Sequence, residues 1–152
     1  MVYEAELSAF AEATHDDLAR LLMAASTVVN ARSLAAIDPD GTSGVRLAHV
    51  PVIASLEARG SRVSDLAPRI GHTRQSVAAL VDDLEAAGIV ELAPDPTDRR
   101  ATLVRLSADG AAFCARATAM MQDAEQSWRA EHGDAAIVNL RSTLRSLAGE
   151  RD

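Results

Sequence analysis

A chain of 152 residues, 48 % of them apolar, is long enough for one compact subunit and too apolar for global disorder. No apolar run reaches the ~18 residues a membrane span needs, and the single cysteine, Cys114, excludes an internal disulfide and a cysteine-built zinc site. The net charge of −7 opposes bulk attraction to nucleic acid, so any nucleic-acid partner has to be met by a local arrangement of charge.

The first stretch, Met1-Val2-Tyr3-Glu4-Ala5-Glu6, is acidic and lacks the basic start of a signal peptide, so a cytoplasmic protein is expected. Leu7, Phe10, Leu18, Leu21, Leu22, Ala25 and Val28 then follow helical spacing, which predicts one long helix over 7–31. Residues 37–44, Ile-Asp-Pro-Asp-Gly-Thr-Ser-Gly, hold every turn-forming type and read as a loop. A second helix is expected over 47–58, with Val52, Ile53 and Leu56 inward, Pro51 near its first turn and Gly60 after its end. Residues 61–63 suit a short edge strand. Ser64 then reads as the N-cap of a short helix, 65–70, with Asp65 placed against the helix dipole and Gly71 as its stop.

Thr73 is a cap for the next helix, which runs to about Ala87 and ends on Gly88. Val77, Leu80, Val81 and Leu84 fall at i, i+3, i+4 and i+7 and make one buried stripe, which turns several of Arg74, Gln75, Ala78, Ala79, Asp82 and Asp83 outward. Two strand-like runs follow, 89–93 and 102–106, on either side of Pro94-Asp95-Pro96-Thr97-Asp98-Arg99-Arg100. Two prolines hold that loop open, and its tip carries two guanidinium groups. Ser107 caps a long helix to about Ala130 bearing Phe113, Ala117, Met120, Met121, Ala124 and Trp128. Gly133 and Asp134 break it before a last helix, 135–148, with Ile137, Leu140, Leu144 and Leu147 along one face.

A helix, a tight glycine-containing turn and a second helix make a helix-turn-helix, and the hairpin behind it makes it winged. Each piece alone is weak, and a charged loop alone is as well explained by a solvated turn; the ordered set is far more specific. Charge distribution permits a nucleic-acid partner. Residues 1–60 carry four arginines against eight acids, residues 61–107 six against seven, and residues 108–152 five against seven. The middle third is nearly neutral, and exposed charges farther apart than ~8 Å are largely screened at physiological salt. All fifteen basic residues are arginine, which reads as coding bias from a GC-rich genome.

Residues 47–110 resemble the MarR family of bacterial transcriptional regulators. The resemblance is carried by Ser64-Asp65-Leu66-Ala67, by Val77 with Val81-Asp82-Asp83-Leu84-Glu85 and Gly88-Ile89-Val90, by Asp95-Pro96-Thr97-Asp98-Arg99-Arg100, and by Leu106-Ser107-Ala108-Asp109-Gly110. It implies a mainly α fold with a small β-hairpin wing: a winged helix-turn-helix over 46–107, and helical dimerisation regions at 1–45 and 108–152. It also implies a homodimer on double-stranded DNA at a pseudo-palindromic operator, acting as repressor or activator, and released in many members by a small-molecule effector bound between the two regions. Thr73, Arg74, Gln75 and Ser76 fall at the start of the recognition helix. Arg74 would meet guanine or phosphate, Gln75 adenine, and the two hydroxyls phosphate. Arg99 and Arg100 match the wing arginines, one of them entering a narrow minor groove. Asp98 matches the acid that orients a wing arginine. For Arg74 the plain alternative is a solvated surface arginine, and for Asp98 an ordinary turn residue. Asp83 departs from the family, standing where members often carry a basic residue, and Pro68 falls inside the first helix of the motif, where it removes one backbone bond.

Elsewhere the sequence is quiet. His15, His49, His72 and His132 have no metal-ligand spacing. No Gly-rich phosphate loop, Ser-His-Asp order or carboxylate pair stands out, so neither an enzyme nor a cofactor is expected. Cys114 reads as a buried inert thiol, since oxidation-sensing members typically carry theirs near the N-terminus. Met120, Met121 and Trp128 read as core or dimer packing rather than as a ligand cleft. A second functional reading stays open: a winged-helix protein-interaction module that no longer binds DNA. Steep loss of affinity with salt separates the first from the second.

Overall fold

The computed structural model describes residues 2–149. Met1 of the acidic start and residues 150–152 of the last segment lie outside them. Ten elements follow one another: α1 (Val2–Ala13), α2 (Leu18–Ile37), a 3-10 turn (Leu47–His49), α3 (Val50–Ala54), α4 (Val63–Ile70), α5 (Arg74–Ala86), β1 (Val90–Pro94), β2 (Thr102–Leu106), α6 (Ala108–His132) and α7 (Asp134–Leu147). The two strands pair antiparallel, Val90 opposite Leu106 and Pro94 opposite Thr102. The fold is mainly helical with a hairpin wing, as the sequence led one to expect.

The core sits where α3, α4, α5, the hairpin and the start of α6 meet. Val52, Leu66, Val77, Leu84, Val104 and Phe113 are its buried members. The stripe along α5 works as its spacing demands: Val77, Val81 and Leu84 are buried and Leu80 packs against them. Each such side chain contributes about 1.5–3 kcal/mol through burial. That stripe fixes the rotation of α5 and so decides which of its residues look outward. Gly88 takes φ +71, and the amides of Gly88 and Ile89 reach back to the carbonyls of Glu85 and Leu84, a Schellman ending that leads straight into β1.

Leu106-Ser107-Ala108-Asp109-Gly110 joins the wing to α6. The Ser107 hydroxyl accepts from the Gly110 amide at 2.9 Å and donates to the Gly88 carbonyl at 2.5 Å. A Cβ on Gly110 would stand 1.9 Å from the Ile89 carbonyl oxygen, so only glycine lets α6 start this close to β1. Away from the core, α2 packs on α6 and α7 folds back on α6. Glu125 ties the second pair together by accepting from Arg129 (3.0 and 2.7 Å) and Arg141 (2.5 Å).

Four local expectations are corrected. The helix placed at 7–31 is two helices: Asp17 accepts from the amides of Ala19 and Arg20 and so starts a new one, which then runs on to Ile37. The helix placed at 47–58 is a 3-10 turn followed by five α-helical residues. The helix stops at Ala54 and the chain turns at Gly60, where φ is +94 and a Cβ would stand 2.8 Å from Arg105 Cγ and 3.1 Å from Leu103 Cβ of β2. Of the edge strand at 61–63 only Ser61 pairs, with Val104. Ser64 is not a cap. After the bridge at Ser61 the helix starts two residues early, at Val63, and Arg62 is the N-cap residue with no side-chain bond to its amides. Pro51 lies in the first turn of α3, and Pro68 sits inside α4, as the sequence requires.

Candidate nucleic-acid interface

The front of α5 carries the first four candidate residues. Thr73 is its N-cap: the hydroxyl accepts from the Ser76 amide at 3.1 Å and lies 2.8 Å from the Ser76 hydroxyl. Thr73, Arg74, Gln75 and Ser76 are all exposed. Among the described residues no carboxylate pairs with Arg74. A free guanidinium, an amide and two hydroxyls therefore project from the positive end of a helix dipole, the chemistry that meets base edges and phosphate.

The wing is built around Asp95, which is only 5 % exposed. Its Oδ1 accepts from the Thr97 amide (2.8 Å) and hydroxyl (2.6 Å), and its Oδ2 from Arg62 Nε (2.8 Å) and Nη2 (2.5 Å). Those bonds, the two from Thr97 first, hold its carboxyl far below the ordinary carboxylate range. The Asp95 amide closes the loop onto the Ala101 carbonyl at 3.0 Å. Asp98 orders the tip through the backbone, accepting from the Arg100 amide at 3.0 Å, and its other oxygen lies 3.8 Å from Arg62 Nη1. Arg99 and Arg100 are exposed, and no ion pair joins either guanidinium to Asp98 or to any other described carboxylate. The buried organising acid is thus Asp95, which the sequence did not single out. Its partner lies 33 residues upstream, beyond the reach of any local pattern.

Behind α5 lies a second cluster that sequence reasoning missed. Asp83 pairs with Arg46, which answers the charge expected to weaken phosphate contacts. His49 is fully buried beside them. Its Nδ1 accepts from the Arg46 amide at 3.0 Å, which leaves the ring proton on Nε2, 3.6 Å from Asp83 Oδ2. Burial first, and the Arg46 charge second, push His49 below its ordinary value, and Asp83 opposes them in part. His72 is exposed in the turn.

Between α2, α3 and α6 there is a cavity of about 260 Å³. Its wall is apolar, with Leu34, Ile37, Ile53, Phe113 and Met121, and no charged side chain lines it. Cys114 stands in this wall, and burial pushes its thiol up, so it stays protonated. Met120 and Trp128 line a separate groove along α2 and α6. Among the described residues no cluster of three metal-ligating side chains occurs, and no helix is long and apolar enough to cross a membrane.

A helix-turn-helix with an arginine-tipped hairpin packed against its second helix defines the class: a winged helix-turn-helix protein. Residues 43–101 match the model of the MarR family. CouR from Rhodococcus jostii RHA1, bound to p-coumaroyl-CoA, has a similar structure: 26 % identity, 91 % of this chain and 96 % of that one covered, TM-score 0.68. Apo wild-type MarR from E. coli (24 % identity, 86 % and 96 % covered, TM-score 0.64) and RV1404 from Mycobacterium tuberculosis (22 %, 86 % and 88 %, 0.66) share the fold. Among curated proteins none matches. That family match spans the helix-turn-helix and the wing, and the chain as a whole has the fold of the family's transcriptional regulators.

Proposed function

We propose that this protein regulates transcription as a homodimer on a pseudo-palindromic operator, each subunit placing α5 in the major groove and the wing in the adjacent minor groove. The observation that carries this reading is the freedom of three exposed arginines. Arg74, Arg99 and Arg100 have no carboxylate partner among the described residues, while Asp95 and Asp83, on the same two projections, are paired with Arg62 and Arg46. An acidic body with three unneutralised guanidiniums on two neighbouring projections favours one orientation on a polyanion. Exposed apolar side chains support dimerisation through the helical regions 1–45 and 108–152: Leu7, Phe10 and Leu21 near one end of the chain, Leu140, Leu144 and Leu147 near the other. The uncharged cavity supports release by a small molecule, and a relative bound to p-coumaroyl-CoA supports it further.

The test is binding to the DNA upstream of the protein's own gene. Wild type should bind with log affinity falling against log salt at a slope of about −0.9 per phosphate neutralised. Arg99→Ala with Arg100→Ala should remove operator binding at near-physiological salt and leave the thermal midpoint and dimer mass unchanged. Binding unaffected by that pair of changes refutes the reading.

A further inference from the structure

We propose that Arg62 positions the wing, acting on DNA affinity through Asp95 and the loop it anchors and not by touching phosphate. This rests on the DNA-binding reading above.

Arg62 occupies an odd place. It is the N-cap residue of α4, yet its side chain leaves the helix amides uncapped and turns away to the wing 33 residues later. A Ser, Thr, Asp or Asn there would satisfy those amides, so the local choice is poor and the long-range contact is what the residue provides. The guanidinium sets two donors on Asp95 Oδ2 and turns its third nitrogen to Asp98 Oδ2 at 3.8 Å. Asp95 Oδ1 is already filled by Thr97. Without Arg62 the nearly buried Asp95 Oδ2 loses both donors it has among the described residues, and Asp98 loses the guanidinium that stands between the two acids' charges.

The neighbouring residue makes the same attachment in the backbone. Ser61 and Val104 exchange both amide–carbonyl bonds, at 3.0 and 2.9 Å. Residues 61 and 62 therefore fasten the start of the helix-turn-helix to the sheet at one point and to the root of the loop at another. Between them they lock the wing and the reading head into one body, so that Arg99 and Arg100 arrive at the minor groove in register with Arg74 in the major groove. Fixing that relation beforehand removes an ordering cost on binding.

The two roles for Arg62 predict opposite behaviour for Asp95. The experiment measures operator affinity at low salt for wild type, Arg62→Gln, Asp95→Asn and the double variant, with hydroxyl-radical footprints and thermal midpoints on the same samples. For a positioning residue each single change weakens binding by about tenfold, the scale of a lost charge-assisted bond. The double change then costs no more than either, and protection disappears from the outer flank read by the wing while the central protection under α5 persists. Hydrogen exchange in the free dimer should show the amides of Asp95, Arg100 and Ala101 opening in both variants. If Arg62 meets phosphate itself, Asp95→Asn releases it and removes a negative charge, so that binding holds or tightens while Arg62→Gln alone loses affinity. That result overturns the positioning role and leaves the DNA-binding reading intact. Absence of wild-type binding overturns that reading and the role of Arg62 with it.

Discussion

Replacing Gly110 by alanine gives a sharp test of how the wing is joined to the long helix behind it. On helix propensity alone the change is favourable by about 1 kcal/mol, because Gly110 lies in the first turn of α6. The structure demands the opposite sign. The new methyl would stand 1.9 Å from the Ile89 oxygen and 2.9 Å from its carbonyl carbon. To reach ordinary van der Waals separation α6 must withdraw by more than about 1 Å. That withdrawal strains three bonds at once: the Ser107 amide to the Ile89 carbonyl (3.0 Å), and the Ser107 hydroxyl to Gly88 (2.5 Å) and to Ile89 (3.2 Å). Overpacking costs about 1–3 kcal/mol and the three bonds, weakened and not lost, together about 2 against about 0.5–1.5 for each bond lost outright, so after the propensity gain of about 1 the net loss is about 2–4 kcal/mol. At about 2–4 °C per kcal/mol for a chain of this size, the thermal midpoint should fall by roughly 5–15 °C. Thermal unfolding followed by circular dichroism reads it directly. Gly71→Ala is the control: its Cβ meets nothing within 4 Å, so only the left-handed backbone is strained, at about 1–2 kcal/mol. A Gly110→Ala midpoint at or above that of Gly71→Ala refutes the close-approach account.

Two further outcomes follow from the interface. Arg74→Ala should relax base preference and cost about 1–3 kcal/mol in operator binding; equal losses on operator and random duplex would show that Arg74 meets phosphate alone. Because His49 is held below its ordinary value in the folded state, the unfolded chain binds more protons just under pH 6.5. Stability should therefore fall as pH drops from 6.5 toward the lowered folded value. This window lies above the one where Asp38, Asp95 and Glu125, likewise held below their ordinary values, lose their own contributions on protonation. His49→Asn should remove the upper step and leave the lower one, and an unchanged profile between pH 6.5 and 5 would count against a buried neutral ring.

What could be read from the chain was what local chemistry encodes. The α5 stripe, the Thr73 cap, the Gly88 ending and the Ser107 cap each depend on residues within a few positions of one another, and each stands where its spacing put it. The acids at Asp95 and Asp83 were different. Their partners, Arg62 and Arg46, are 33 and 37 residues away and become neighbours only through the fold, so no periodicity could announce them. Ser64 shows the same limit in reverse. Locally it is the better cap, but a single bridge from Ser61 to Val104 moves the helix start past it. At Asp17 the cap signal was present, and the apolar repeat running through it concealed the break.

The pairing of Asp83 with Arg46 gives the recognition helix an electrical direction. Its leading turn holds Arg74 and the amide end of the dipole. Its trailing half holds Asp82 and Glu85, both exposed, with Asp83 drawn back toward the protein. A sugar–phosphate wall attracts the first and repels the second. On the DNA-binding reading proposed above the helix would seat tip first, and the acidic rear, which looks like a defect for a DNA reader, would act as a keel that turns away side-on encounters before any base is touched.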